Sequence, residues 1–189
     1  MKKNLFLGGV ACLILFVTGC ATSQNPVSQA ESTTTPTRNP NLIQNGDFNN
    51  SLEHWSTIGQ GTNPYHPGDP GQAAFKIEDG LLGIEIQNQG VSIWSVMLYQ
   101  SVLFEKGAAY DISFDAKSDS EIQIISNVSQ DGTWANFSGD KRFKLTNVMS
   151  SYSYQFTMSE DGAALFQLCL GTAGTGKVYF DNIVIRKKS

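Results

Sequence analysis

Seventeen acidic side chains, two histidines and one glycine-rich hexapeptide are the residues from which catalysis would have to be built in this sequence. Glycoside hydrolysis takes two carboxylates about 5–5.5 Å or 6.5–9.5 Å apart across the scissile bond. Glu85, Asp111, Asp115 and Glu121 are available, but none stands in a motif that would raise one pKa and leave its partner low. His54 and His66 lie in neither H-x-H nor H-E-x-x-H spacing, which argues against a zinc hydrolase. A G-x-S-x-G nucleophile elbow is absent. Gly171 to Gly176 is followed by strand-like residues, so no helix start is at hand to cradle a phosphate. Of Cys12, Cys20 and Cys169 only the last falls in the globular part, which excludes an internal disulfide and a C-x-x-C metal or redox site. Cys169 is expected to pack as a small hydrophobe. The chain reads as non-catalytic.

Aromatic rings beside amides are the other chemistry on offer. A sugar ring presents apolar C–H patches on its faces and hydroxyls at its rim, so it is gripped by aromatic platforms flanked by amides and carboxylates. The elements that would position such groups have a period of two. Leu82, Ile84 and Ile86 alternate with polar or small residues, as do Tyr110, Ile112, Phe114 and Ala116. The pattern returns at Ile122 and Ile124, at Tyr152 to Met158, at Phe166 to Leu170, and at Val178 and Phe180. These are half-buried strands. Turn signals separate them at 67–71, Asp79-Gly80, Lys106-Gly107, Asp131-Gly132, Gly139-Asp140 and Asp161-Gly162. One turn of helix is expected near Ser51 to His54 and none elsewhere. Nine or ten antiparallel strands at this length predict an all-β fold, a two-sheet antiparallel β-sandwich of jelly-roll type. If Ile122 and Ile124 face the core, then Gln123, Ile125 and Asn127 face out. The same parity turns Leu165, Gln167 and Cys169 outward, and puts Met97, Tyr99 and Ser101 beside Trp94.

The chain carries 13 Lys plus Arg against 17 Asp plus Glu, a net charge of −4. Without basic clusters it is a poor nucleic-acid binder, because that affinity rests on counterion release by Lys and Arg. Lys2 and Lys3 precede an apolar run from Leu5 to Val17, too short for a stable span and read as a signal peptide over residues 1–19. Leu15-Phe16-Val17-Thr18-Gly19-Cys20 resembles a bacterial lipobox. That resemblance implies a lipoprotein anchored through acylated Cys20; ordinary secretion with an incidental cysteine is the alternative. Residues 21–40 are Ser-, Thr-, Asn- and Pro-rich with little to bury, and are expected to form a disordered tether. Residues 41–189 then form one module outside the cytoplasm, on the bacterial cell envelope.

Three segments of that module resemble a known family. Asn41-Leu42-Ile43-Gln44-Asn45-Gly46-Asp47-Phe48-Asn49, with Trp55 soon after, is similar to the opening of the CenC-type carbohydrate-binding modules, families 4 and 9, related to 16 and 22. Gly90 to Gln100 and Glu105 to Lys117 resemble their central strands. Gly176 to Ile185 resembles their last strand. In order and near the right separations, the three cover nearly all of residues 41–188. The resemblance implies a galactose-binding-like jelly roll that binds polysaccharide or oligosaccharide without cleaving it, as a monomer, in some cases alongside extracellular glycoside hydrolases.

The resemblance also implies residue roles. A structural calcium would be held by Asn49, Asp69 and Asp181; Asn49 stands where the family is usually acidic, which weakens the site. Asp181 interrupts an apolar strand, where a cation offsets the cost of burying a carboxylate. The alternative is that Asn49 and Asp181 cap turns. A Trp matching Trp94 is a main sugar platform in family 4, and Trp134 lies near a second aromatic of the relatives. The sugar-binding set is therefore Trp94, Tyr99, Gln123, Asn127, Gln167 and Trp134. Met97, Leu165 and Cys169 depart from polar places in the family. Trp55 is expected in the core, and Tyr65 at the rim or on plain surface. The ligand implied is a β-glucan or xylan-type chain held at the cell surface. An envelope adhesion or scaffolding protein using the same sandwich, or a small glycosidase, are the competing readings.

Overall fold

Alternation of large apolar and polar residues generates ten strands in the computed structural model, which describes residues 39–61 and 63–189. The signal segment, Cys20 and nearly all of the expected tether lie outside the described residues. The strands are β1 (Ser56–Ile58), β2 (Gln72–Glu78), β3 (Leu81–Asn88), β4 (Met97–Phe104), β5 (Ala109–Ser118), β6 (Ile122–Ser129), β7 (Lys141–Leu145), β8 (Ser150–Thr157), β9 (Gly162–Cys169) and β10 (Gly176–Lys187). They form two five-stranded sheets, ordered β1-β4-β9-β6-β7 and β2-β3-β10-β5-β8. Every pairing is antiparallel. Consecutive strands from β3 to β6 alternate between the sheets, which gives the expected jelly-roll sandwich.

One core lies between the sheets. Leu82, Ile84, Ile112, Phe114, Leu98, Phe166, Leu168, Val178 and Phe180 are at most 1% exposed, and burying each such side chain contributes roughly 1.5–3 kcal/mol. Parity assigns these residues correctly to the inner faces. Tyr110 is equally buried and its hydroxyl accepts a hydrogen bond from the Glu105 N–H at 2.8 Å. The helical turn expected near Ser51 to His54 does not form. Ser51 (φ 57°) and His54 (φ 69°) take left-handed backbone, which breaks any helical run and leaves only tight turns.

The opening motif closes one end of the sandwich. Asn41 accepts from the Ile43 and Ile185 N–H groups and donates to the Ile183 carbonyl, while Leu42 N–H donates to the Ile185 carbonyl. Gln44 and Gln100 exchange a pair of hydrogen bonds at 2.8 and 2.9 Å, so a side-chain amide acts as a strand partner for the incoming chain. Trp55 is core, as expected: 8% exposed, against Phe48 and Phe166, with its Nε1 donating to the Asn45 carbonyl at 2.9 Å. Gly46 lies against Ile183, whose N–H donates to the Gly46 carbonyl. A Cβ at Gly46 would collide with the Ile183 carbonyl oxygen.

The three residues named for calcium are not brought together. Asp181 sits opposite Asp115 where the β10–β5 register shifts, and Asn182 donates to both carboxylates. Asn49 donates to Asp47 at 2.6 Å. Asp69 belongs to the other end of the sheet. It precedes Gln72, which faces Asn88, whereas Asp181 is five residues along β10 from the Gly176–Ile86 pair, on the order of 17 Å. Its carboxylate is already engaged by the Ser95 hydroxyl at 2.6 Å and the Gly71 N–H at 3.0 Å. Among the described residues no three His, Cys, Asp or Glu side chains are grouped to hold a metal. Asn49, Asp69 and Asp181 therefore do not fit a single cation.

Partial burial, and then the charges of Asp115 and Asp47, raise the Asp181 pKa from its ordinary aspartate value. An acid whose pKa is higher when folded than unfolded binds its proton more tightly in the folded state. Its stabilising effect is present at low pH and is lost as pH rises through the folded pKa. Two outcomes follow for denaturant unfolding. Gly46→Ala should lower stability by about 1–3 kcal/mol through overpacking. Asp181→Asn should raise stability slightly at pH 7 in chelator, by less than about 1 kcal/mol because the site is half open to solvent, and the gain should vanish below about pH 3.5, where the ordinary aspartate is protonated. Repeated in calcium chloride, the same pair tests the expected ion, since a rise for the native protein that Asp181→Asn lacks would place a cation at this corner.

Candidate carbohydrate-binding cleft

Cross-strand register arranges the outer face of the β1-β4-β9-β6-β7 sheet in rows. Ile58, Met97, Cys169 and Ile125 are direct neighbours across four strands. All four are at most 4% exposed and form a second apolar cluster outside the main core, with Ile93 and Tyr99 packed on it. Burial, and then the charge of Asp140, pushes the Cys169 thiol up to about 12, so it is an inert part of that floor. The next row is Ser56, Tyr99, Gln167 and Asn127, and the one after holds Ser101, Leu165 and Ser129.

A cleft of about 630 Å³ opens over the polar end of these rows, within the range of small-ligand sites. Its floor contains Asn127, Gln167 and Ser129, which are 5%, 4% and 3% exposed. Asp140 accepts from the Asn127 Nδ2 at 2.9 Å and from the Asn136 Nδ2 at 2.8 Å, which fixes the orientation of both amides. The Asn127 Oδ1, the Gln167 Nε2 and the Ser129 Oγ have no hydrogen-bond partner among the described residues. An acceptor, a donor and a hydroxyl thus lie side by side, buried and unsatisfied. Each such group costs on the order of 1–3 kcal/mol. A ligand hydroxyl, which both donates and accepts, answers that set.

Two indoles stand above the floor. Trp94 is 37% exposed and stacks on His66 at 5.5 Å; Trp134 is 41% exposed and meets Tyr65 edge to face at 4.7 Å. The walls are held by the backbone. Ser95 Oγ accepts from Val91 and Ser92 N–H and donates to Asp69, tying the loop of Trp94 to the loop of Tyr65 and His66. Asp69 is thus a clamp between two walls, not a ligand of the Asp181 corner. Gly171 lets the chain after β9 pass against Ser92 and Ile93, where a Cβ would strike backbone. Trp134 sits at φ 60°, held by its N–H to the Gln130 carbonyl at 3.0 Å; left-handed backbone at a bulky residue is strain that surrounding structure must hold.

Of the six residues named for sugar binding, the cleft lining unites Trp94, Asn127, Gln167 and Trp134. Tyr99 is beside Gln167 in the same row but outside the lining, and half-buried. Gln123 shares the outer face yet pairs with Lys144 toward the other end of β6, exposed and away from the lining. Ser129, Asn136, Asp140 and His66 line the cleft and went unread in the sequence. Extending the Gln123, Ile125, Asn127 parity by one step reaches Ser129; the others lie in loops that carry no periodic signal.

Comparisons with known proteins bear on the fold and the family. A search of curated proteins returns no match. Among solved structures, one described as "CBM4 structure and function" superposes with a TM-score of 0.69 at 22% identity, covering 77% of this chain and 99% of that one. The N-terminal cellulose-binding domain of β-1,4-glucanase C from Cellulomonas fimi gives 0.57 at 19% identity, covering 79% and 99%. The second such domain of that enzyme gives 0.58 at 18%, covering 80% and 96%. At these identities the likeness establishes the sandwich fold. The sequence profile of the carbohydrate binding domain family CBM_4_9 matches residues 40–175, and the chain belongs to that family.

Proposed function

We propose that the protein binds polysaccharide of the β-glucan or xylan type without cleaving it, from a lipid anchor at Cys20 on a bacterial cell envelope. One observation carries the reading: the unsatisfied Asn127, Gln167 and Ser129 groups lie buried beneath two exposed indoles. Aromatic faces accept the C–H patches of pyranose rings, and the three polar groups accept and donate to their hydroxyls. Family membership supports the ligand class. Binding without cleavage is supported by the lining, in which Asp140 is the one carboxylate among the described residues and is held by two amides. Glycoside hydrolysis takes a pair. The β-glucan or xylan preference and the anchor rest on the resemblances in the sequence. In this reading the protein holds a chain near the cell for extracellular glycoside hydrolases.

Affinity electrophoresis against laminarin, lichenan, xylan, hydroxyethyl cellulose and mannan, with calorimetric titration of short oligosaccharides of the same linkages, tests the proposal. Retardation or heat with a glucan or xylan ligand is expected; silence across both panels from folded protein rejects it, and release of reducing sugar rejects the non-catalytic part. Trp94→Ala should weaken binding by about 2 kcal/mol or more, as for a buried platform at an interface. An envelope scaffold binding protein would keep its partner in that variant. Ser129→Ala should leave unfolding free energy unchanged or raise it by up to about 1 kcal/mol while lowering saccharide affinity up to about tenfold, because it removes a hydroxyl that is unsatisfied until ligand arrives.

A further inference from the structure

Among the described residues the two sheets end in four edge strands, and three of these carry features that block pairing with another chain. β1 is three residues long. β2 has a register shift at Gln72–Ala73 and charges at Lys76 and Glu78. β7 reads Lys-Arg-Phe-Lys-Leu. Shortness, bulges and charge are the devices by which sheets avoid edge-to-edge association. β8 has none of them. Its eight residues, Ser150–Thr157, include no charge, proline or glycine, and its register with β5 runs unbroken from Ala109–Thr157 to Ala116–Ser150. The Met158 N–H donates to the Ala108 carbonyl, so by antiparallel alternation the even-numbered residues of β8 bond to β5. The N–H and C=O groups of Ser151, Ser153, Gln155 and Thr157 therefore point away from the sheet. All four residues are exposed, and those backbone groups have no partner among the described residues.

We propose that β8 pairs with β8 of a second copy of this chain, antiparallel about a two-fold axis at Tyr154. What selects a second copy is the strand's complementarity to itself. Directly opposite residues of an antiparallel pair share a face, so the axis passes through a residue. At Tyr154 it sets Ser153 of each copy against Gln155 of the other, and Ser151 against Thr157. In this register the outward backbone groups of those four residues bond one another and none is left over, whereas an axis at Ser153 would set Thr157 beyond the end of β8. On the inner face Tyr154 meets its counterpart and Tyr152 meets Phe156, the kind of aromatic pair that stabilises neighbouring strands. On the outer face neutral hydroxyl and amide side chains meet, and no like charges stand opposite. Beneath β8, Phe143 of β7 packs on Tyr152 and Tyr154, and the Lys141, Arg142 and Lys144 of β7 keep the second sheet from joining as well. A two-fold contact of this kind is closed, so association stops at two. The dimer replaces the monomer that the sequence resemblance implies. Both copies keep the cleft open, because it lies on the outer face of the other sheet.

Sedimentation equilibrium of the full chain, with density-matched detergent for the apolar run from Leu5 to Val17, reads the assembly. The average mass is expected to rise from one chain to two with protein concentration and to stop there. Mass that stays at one chain up to millimolar protein, or that climbs past two, overturns the proposal. Ser153→Lys combined with Gln155→Lys sets like charges opposite each other and should raise the dimer Kd about tenfold or more while unfolding remains native. Ser153→Glu combined with Gln155→Glu should do the same. An equimolar mixture of the two double variants sets Lys against Glu at each of these places and should recover native association, which a misfolded variant would not do. Double variants that dimerise as the native protein does overturn the assignment to β8, and a mixture that fails to recover overturns the register about Tyr154. No saccharide enters these measurements, so their outcome is independent of the carbohydrate reading.

Discussion

Among the described residues, Gln167 is 4% exposed with an Nε2 that meets no acceptor, one strand away from a similarly buried Asn127 whose Oδ1 meets no donor. Asp140 accepts from the Asn127 Nδ2 and so fixes that amide with its Oδ1 as the unsatisfied end. Buried polar groups in folded proteins are otherwise nearly always paired. The dry row of Ile58, Met97, Cys169 and Ile125 next to them strengthens the effect, since water is excluded on that side. What remains is a preformed set of hydrogen-bonding groups pointed at a cleft, stabilised by the sandwich beneath it and matched to a ligand rich in hydroxyls.

That arrangement depends on walls as much as on floor. The Asp69–Ser95 hydrogen bond joins two loops distant in sequence, so the ring of Trp94 and the ring of His66 are positioned by one clamp. On the other wall, the left-handed backbone of Trp134 aims the indole toward Tyr65. Strain there and unsatisfied amides below are both destabilising features concentrated at one place on an otherwise well-packed domain. Their coincidence marks a binding surface more securely than exposure of any single aromatic residue.

The fold was legible because its signal is periodic. Inner and outer residues of β3, β5 and β10 alternate regularly enough that parity placed Ile84, Phe114 and Phe180 in the core; the same count along β6 and β9 placed Ile124 inside and Asn127 and Gln167 on the outer face, although both strands are buried on both faces over most of their length. Parity says which face, not how far along it, which is why Gln123 carries the same signal as Asn127 although it stands beside Lys144. β7 is an edge strand of five residues; its Phe143 and Leu145 do alternate with Arg142 and Lys144, but two apolar residues in a charged run are too short a signal to read as a strand. Asp69 was legible as a loop carboxylate, but its partner Ser95 is fixed by tertiary contact, so a resemblance could assign it to calcium and only register could move it to the cleft wall. Asn136, Asp140 and His66 come from loops, where no local rule ties residue type to direction.

A crystal structure of the protein with a bound oligosaccharide tests the central claim most directly. The account predicts sugar hydroxyl oxygens within hydrogen-bonding distance, about 2.7–3.2 Å, of the Asn127 Oδ1 and Gln167 Nε2, with a ring face against the Trp94 indole. A saccharide seated elsewhere on the sandwich, with those two atoms still unpartnered, would contradict it.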